Sequence, residues 1–338
     1  MSAMPPPAQA LTQLLAGAWL AQAIAVIAKL GVADLLSAGP RTPAELASAT
    51  GSEAKAMYRV LRALAGAGIF AEEQGRFGLT PLAGPLRTDA ADSIRAYAVM
   101  IGERWVWQSI GGLEHSLRTG APAFEQIFGT PLFDYYAAHP DAARVGAEGL
   151  KSVGRGQDAA VAAAYDFTEV KTVVDVGGGQ GGLLSAILAA NPEVRGVLFD
   201  LPHVAAMAQQ QLESAGLTSR SLTSAGDFFK EVPPGGDLYL LRKVIHDWDD
   251  ENARRILRAC RAAMADSARL LIVEMVIPDD NAPAYGKLLD LLMLVYSGGR
   301  ERTEQECRTL LESAGFSPAR IIATTSTVSI IEAVPLNE

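Results

Sequence analysis

VVDVGGGQGG, residues 173–182, is an apolar strand running into a glycine-rich turn. Gly177, Gly179 and Gly182 meet the G-x-G-x-x-G spacing, which suits backbone pressed against a nucleotide-like ligand. The glycines alone leave open whether that ligand is a dinucleotide or another adenosine-bearing molecule. Downstream, apolar strands alternate with helical stretches: RGVLFD (195–200), SRSLTSAG (219–226), DLYLLRKVI (237–245) and RLLIVEMVI (269–277). The alternation predicts parallel strands with crossover helices, a doubly wound α/β sheet. ARIIATTSTVSIIEAVP (319–335) reads as two strands close together, an antiparallel C-terminal edge.

Upstream the texture differs. Residues 10–37 read as helices, and residues 1–9, with Pro5, Pro6 and Pro7, are expected to be disordered. Thr42 and Glu45 form a capping box. A second helix, about 53–67, carries Met57, Val60, Leu61 and Leu64 at helical spacing and stops at Gly68. IFAEEQGRFGLT then turns near Gly75 as a hairpin, which completes a winged-helix unit. Residues 90–165 are mostly helical and rich in aromatics. Three parts are therefore expected: a helical winged-helix unit over 1–100, a helical linker and pocket segment over 101–165, and the sheet domain over 166–338.

Composition excludes several partners. The 338 residues carry a formal net charge of −9, which disfavours nucleic acid and anionic membranes. The winged helix sets Lys55, Arg59 and Arg62 against Glu53, too mild a basic face for DNA. LTQLLAGAWLAQAIAVIA (11–28) lacks the basic flank of a signal peptide and is mostly alanine with two glutamines inside, so a packed helix is expected rather than a membrane span. A cytoplasmic protein is expected. Cys260 and Cys307 make no metal or redox spacing and read as buried thiols.

In an open α/β sheet ligands sit at the carboxyl ends of the strands. Those ends carry Asp175 with the glycine turn, Asp200, Asp227 with Phe228, the run LLRKVIHDWDD, and Glu274. Asp200, about 20 residues past the turn, suits two ribose hydroxyls. The winged-helix front and the antiparallel edge both lead away from a dinucleotide enzyme. In order, DVGGGQG, FDLPHV, GDFF, LRKVIHDWDDE and GGRERTEQE resemble the class I S-adenosylmethionine-dependent O-methyltransferases. The similarity is to the plant caffeic acid and flavonoid type and its bacterial secondary-metabolism relatives, and it spans nearly the whole chain.

The resemblance implies a Rossmann-like methyltransferase sheet behind a winged-helix dimerisation domain, a homodimer, S-adenosylmethionine as cofactor and S-adenosylhomocysteine as product. It implies cofactor contacts at Gly177, Gly179, Asp200, Leu201, Gly226, Asp227, Phe228 and Arg242, which stands where plant members usually have lysine, with Lys243 able to share that role. His246 matches the catalytic base, Glu274 and Glu301 its flanking carboxylates. Leu132, Tyr136, Leu150, Asp247 and Met293 match positions facing an aromatic acceptor. Plant members often carry phenylalanine where this chain has Ala142 and Gly146, so a roomier pocket and a multi-ring acceptor are expected.

The chemistry fits these residue types. A free phenol has pKa near 10 and is little ionised at neutral pH. A histidine, ordinarily near 6.5, can take the proton, and a carboxylate on its other nitrogen fixes the tautomer. No metal is expected. Asp249, Asp250 and Glu251 read as the start of a helix, and Thr303 with Glu306 as a second capping box. His115, His139 and His203 are read as structural. The rival activity is that of relatives keeping fold and cofactor while hydroxylating or cyclising a polyketide-type substrate.

Overall fold

The structure, a computed structural model, describes residues 6–336. Its contacts separate into two units, one of residues up to Trp107 with His139–Val153, the other of Gln108–Ala138 with Gly154 onward.

The first unit begins with α1 (Pro7–Lys29), α2 (Val32–Leu35), α3 (Pro43–Thr50) and α4 (Ala54–Gly66). Helix formation starts at Pro7, earlier than expected; residues 1–5 of the segment expected to be disordered lie outside the described residues. Proline suits a first turn because its missing N–H is unpaired there in any case. Thr42 and Glu45 close the capping box on α3, and Glu53 caps α4 by accepting from Lys55 and Ala56 N–H groups. The hairpin pairs β1 (Phe70–Glu73) with β2 (Arg76–Leu79) around Gln74 and Gly75, both at positive φ. That pair of left-handed residues matches the right-handed twist of the strands. Arg41 bridges to Phe77 beside it and completes the wing. Ile27, Leu46, Met57, Leu61, Leu64, Phe70 and Phe77 form the core. Along α1 only Ala25, Ile27 and Ala28 are buried; Leu14, Leu15 and Trp19 are 76%, 69% and 78% exposed.

Helices α5 (Arg95–Ile101), α6 (Arg104–Gly111), α7 (Leu113–Thr119), α8 (Ala123–Phe128), α9 (Leu132–Ala138) and α10 (Pro140–Ala164) follow. The second unit is built on a seven-stranded sheet of β3 (Thr172–Val176), β4 (Arg195–Asp200), β5 (Ser221–Ala225), β6 (Leu238–Arg242), β7 (Arg269–Glu274), β10 (Phe316–Ala323) and β11 (Ser329–Pro335). Its order is β10-β11-β7-β6-β3-β4-β5, parallel except at β11, which pairs antiparallel with both β10 and β7. The intervening elements are α11 (Gly182–Ala190), α12 (Pro202–Ser214), α13 (Asp250–Ala263), α14 (Tyr285–Tyr296) and α15 (Glu304–Ser313), with β8 (Val276–Ile277) pairing β9 (Arg302–Thr303) apart from the main sheet.

Period-two alternation decides which residue goes to which face. Val174, Tyr239, Leu241, Leu270 and Ile272 join a core with α13 and α15. Val173, Leu238, Leu240, Leu271 and Val273 join one with α11 and α12. Cys260 and Cys307 are free and buried in α13 and α15, where burial pushes both thiols up to about 12. Such thiols are inert at neutral pH.

Candidate active site

β3 delivers the glycine turn at the switch point of the sheet, where β3 lies between β4 and β6. Gly177 has φ 68°, and a Cβ there would come within 2.8 Å of a Val244 methyl; only glycine meets both conditions. At the end of β4, Asp200 accepts from the Gly179 N–H at 2.8 Å and the Leu201 N–H at 2.7 Å. One carboxylate thus ties the glycine turn to the start of α12. Burial raises its pKa, against which both N–H groups act to lower it.

After β5 come Gly226, Asp227 and Phe228. Asp227 accepts from the Phe229 N–H at 2.9 Å and pairs with Lys230 at 3.4 Å. Phe228 meets Trp248 edge-on at 6.1 Å, and Trp248 stacks on Phe133 of α9 at 5.6 Å. An aromatic wall therefore runs from Phe228, after β5, to α9, and Phe124, Phe128 and Tyr135 pack together in the same unit.

Arg242, at the end of β6, turns to α10. Its guanidinium lies 3.0 Å from Asp158 and donates to Gln157 at 3.2 Å and to the Gly154 carbonyl at 3.4 Å. Asp175 is fully buried nearby, with Oδ1 accepting no hydrogen bond; burial pushes it up to about 7, against the Arg242 charge. Lys243 is one of two described non-glycine residues at positive φ, 52°, a conformation that costs free energy and clusters at functional sites. Burial holds its ammonium below the ordinary lysine range, and the neighbouring Arg242 adds to the effect.

β6 ends in the short turn Ile245–Asp247, which carries His246. Glu301, from the segment before α15, lies 2.7 Å from His246 Nδ1. Glu274, at the end of β7, lies 3.8 Å from the same nitrogen, and its Oε1 accepts from the Ile245 and His246 N–H groups at 3.1 and 3.3 Å. Both glutamates therefore stand on the Nδ1 side. Nε2 faces away from them, 3.7 Å from Asp247. His246, Glu274 and Glu301 are 9%, 5% and 2% exposed.

Burial alone would lower the His246 pKa, but Glu274, Asp247 and Glu301 outweigh it and raise it to about 9. Burial raises Glu274 to about 7. Both groups hold protons in the folded state that they would release unfolded. The stability His246 contributes is complete below about 6.5 and is lost as pH rises through about 9; Glu274 weakens stability over about 4.5 to 7. The ligand-free protein is expected to melt at progressively lower temperature from pH 6 to pH 9, and His246→Gln should flatten the slope. An unchanged slope in calorimetric scans would contradict the assignment.

The loop carrying Glu301 is fastened to the loop carrying His246. The Arg300 N–H donates to the His246 carbonyl at 2.8 Å, and the Glu301 N–H to Asp290 of α14 at 2.8 Å. A Cβ on Gly299 would lie 2.0 Å from the His246 carbonyl oxygen, so no larger residue fits.

Of the residues expected to face an acceptor, Leu132 and Met293 are buried in the second unit. Tyr136 lies near enough to Asp247 for its charge to add to the burial that raises the Tyr136 pKa. Leu150 lies on α10 in the first unit, 54% exposed. Sequence reasoning missed Asp158, Trp248, Asp290 and Arg302. Arg302 and Trp248 lie inside quoted motifs, whereas Asp158 and Asp290 sit on helices with no local signal.

The O-methyltransferase domain family matches residues 111–317, and the O-methyltransferase dimerisation domain matches 12–89. The chain is 47% identical over 332 residues to phenazine O-methyltransferase PhzM of Lysobacter antibioticus, covering 98% of this chain and 97% of that one. The crystal structure of LaPhzM superposes with a TM-score of 0.93 at 47% identity, covering 98% and 100%. The O-methyltransferase NcsB1 from neocarzinostatin biosynthesis, solved with S-adenosylmethionine and 2-hydroxy-5-methyl naphthoic acid, superposes at 0.82 with 36% identity over 94% and 96%. By these matches the chain is a member of the S-adenosylmethionine-dependent O-methyltransferase family.

Proposed function

We propose that this enzyme methylates a phenolic hydroxyl on a multi-ring aromatic small molecule, with His246 as general base. The observation that carries the reading is the commitment of His246 Nδ1 to Glu301 at 2.7 Å, which leaves Nε2 as the proton acceptor. Bound S-adenosylmethionine supplies an electrophilic methyl group. Gly177, Gly179, Asp200 and Leu201 would hold it, with Gly226, Asp227 and Phe228 at the adenine and Arg242 and Lys243 at the charged end. His246 takes the hydroxyl proton on Nε2, and Glu301 and Glu274 stabilise the resulting imidazolium. Within the second unit, Leu132, Tyr136, Asp247, Met293 and the stack of Phe133 on Trp248 supply an acceptor site walled by aromatic and apolar side chains. Positioning by these walls contributes to the rate as well.

A base charged below about pH 9 is idle at lower pH. kcat/KM is therefore expected to climb with pH towards about 9, because that ratio reports the free enzyme. The direct test incubates the protein with labelled S-adenosylmethionine and a hydroxyphenazine. Mass analysis should show the gain of one CH₂; a product gaining oxygen, or cyclised without added mass, supports the hydroxylating or cyclising alternative.

His246, Glu274 and Glu301 each bring a donor atom within 4.8 Å of the others, a spacing that also suits a cation. The Nδ1–Glu301 hydrogen bond already uses the nitrogen such an ion would need, which supports a metal-free base. EDTA should leave turnover unchanged; loss restored by magnesium would overturn the reading.

A homodimer is part of the same proposal. By length and composition α1 could cross a membrane, but from Thr12 onward it lies within the match to a dimerisation domain. Its exposed Leu11, Leu14, Leu15 and Trp19 make an apolar face that a second copy would cover. Light scattering should give twice the 35.6 kDa chain mass; a monomer at micromolar concentration would refute this.

A further inference from the structure

Arg302 is charged, yet its side chain is 4% exposed, and such burial requires every donor to be matched. Its Nη1 donates to the Ile245 carbonyl at 3.1 Å and to the Arg300 carbonyl at 3.3 Å. Its Nη2 donates to the Trp248 carbonyl at 2.9 Å, and Nη2 and Nε both reach Asp250 Oδ1, at 2.7 and 3.0 Å. Ile245 and Trp248 bracket His246 in the chain, and Arg300 immediately precedes Glu301. One planar fork thus holds both loops whose side chains meet at 2.7 Å. Neither loop is a regular element long enough to fix its own geometry: His246 sits on a three-residue turn, and Glu301 directly precedes a two-residue strand.

We propose that Arg302 is a positioning residue for catalysis, a clamp that sets the His246 and Glu301 side chains in register without touching acceptor or cofactor. The inference rests on the reading of His246 as the base. Lysine cannot replace it, because an ammonium offers three donors from one point where the site needs a spread fork. Arg302→Lys should therefore keep the charge but loosen the clamp.

The test reads His246 directly. Histidine labelled with carbon-13 at ring Cε1 alone, in the full-length enzyme saturated with S-adenosylhomocysteine, gives four ring signals at most, and His246→Gln assigns one of them. The groups facing His246 are Glu274, Asp247 and Glu301, with Lys243 beside the two glutamates. Loosening the Glu301 contact removes a raising influence, so in Arg302→Lys the His246 midpoint should fall by about one pH unit. Turnover of a hydroxyphenazine should fall about 10- to 100-fold, the scale of ångström-sized misplacement. Calorimetric affinity for S-adenosylhomocysteine should stay within about twofold, since the clamp lies away from the glycine turn.

A folded Arg302→Lys protein with wild-type midpoint and turnover overturns the proposal. So does slower turnover with an unmoved midpoint, because generic damage would give that. If Arg302→Lys does not fold, Asp250→Ala decides by the same two readings. Asp250 is half exposed and anchors the far side of the fork. A lowered midpoint supports the clamp and an unchanged one overturns it. Wild-type protein inactive on hydroxyphenazine counts against the acceptor reading alone, because the magnetic resonance arm needs no turnover.

Discussion

His246→Ala should lower turnover by about 10²- to 10⁴-fold, the usual worth of a positioned base, while leaving S-adenosylmethionine affinity within about twofold. The separation follows from the architecture. The proposed cofactor cradle hangs on β3, β4 and β5, whereas the proposed base stands beyond β6 among residues of β7 and the loop before α15. The pH profile sharpens the test. Wild-type kcat/KM should climb towards about pH 9, and the variant should stay flat until the acceptor ionises by itself. Removal of the ring also leaves Glu274 and Glu301 buried beside each other without their shared cation. The carboxyl of Glu274, already raised by burial, should rise further. A variant that methylates its acceptor at the wild-type rate would dismiss His246 as the base.

Asp200→Ala should weaken S-adenosylmethionine binding by about 10²- to 10⁴-fold, because two hydrogen bonds to a charged carboxylate are lost at about 1.5–3 kcal/mol each. The structure adds a second cause. Asp200 also accepts from the Gly179 and Leu201 N–H groups, so its removal loosens the turn that shapes the cradle. Asp200→Asn separates the two contributions: the amide oxygen can still accept from one N–H but carries no charge. Its affinity should fall between those of wild type and Asp200→Ala. Calorimetric affinity unchanged in Asp200→Ala would remove this residue from the site.

The layout of the sheet was legible because alternation and glycine turns are local signals. The strands from 172 to 277 other than β5, SLTSA, came from short apolar runs, and both capping boxes formed as Thr42 with Glu45 and Thr303 with Glu306. The base was legible only through resemblance, since nothing in the spacing of His246, Glu274 and Glu301 says that they meet. What escaped has one physical cause: it consists of contacts made by side chains whose local role reads as something else. Arg302 stands beside a capping threonine and looks like a solvated charge. Trp248 looks like ordinary core, yet it stacks on Phe133 across more than 100 residues of chain. The His246 pKa escaped for the same reason. A lone imidazole is ordinarily near 6.5, and only three converging carboxylates move it.

The position of β11 bears on how the enzyme comes into being. It is the last strand among the described residues, yet it inserts between β10 and β7, with Ser329 opposite Glu274. Until that strand arrives, β7 is an open sheet border, and the glutamate that braces the backbone at His246 ends an unpaired edge. A growing polypeptide on the ribosome therefore carries the glycine turn, Asp200 and His246 before β11 can complete the sheet beside Glu274. The support of the backbone at His246 is thus completed by a strand that follows it by more than 80 residues in sequence.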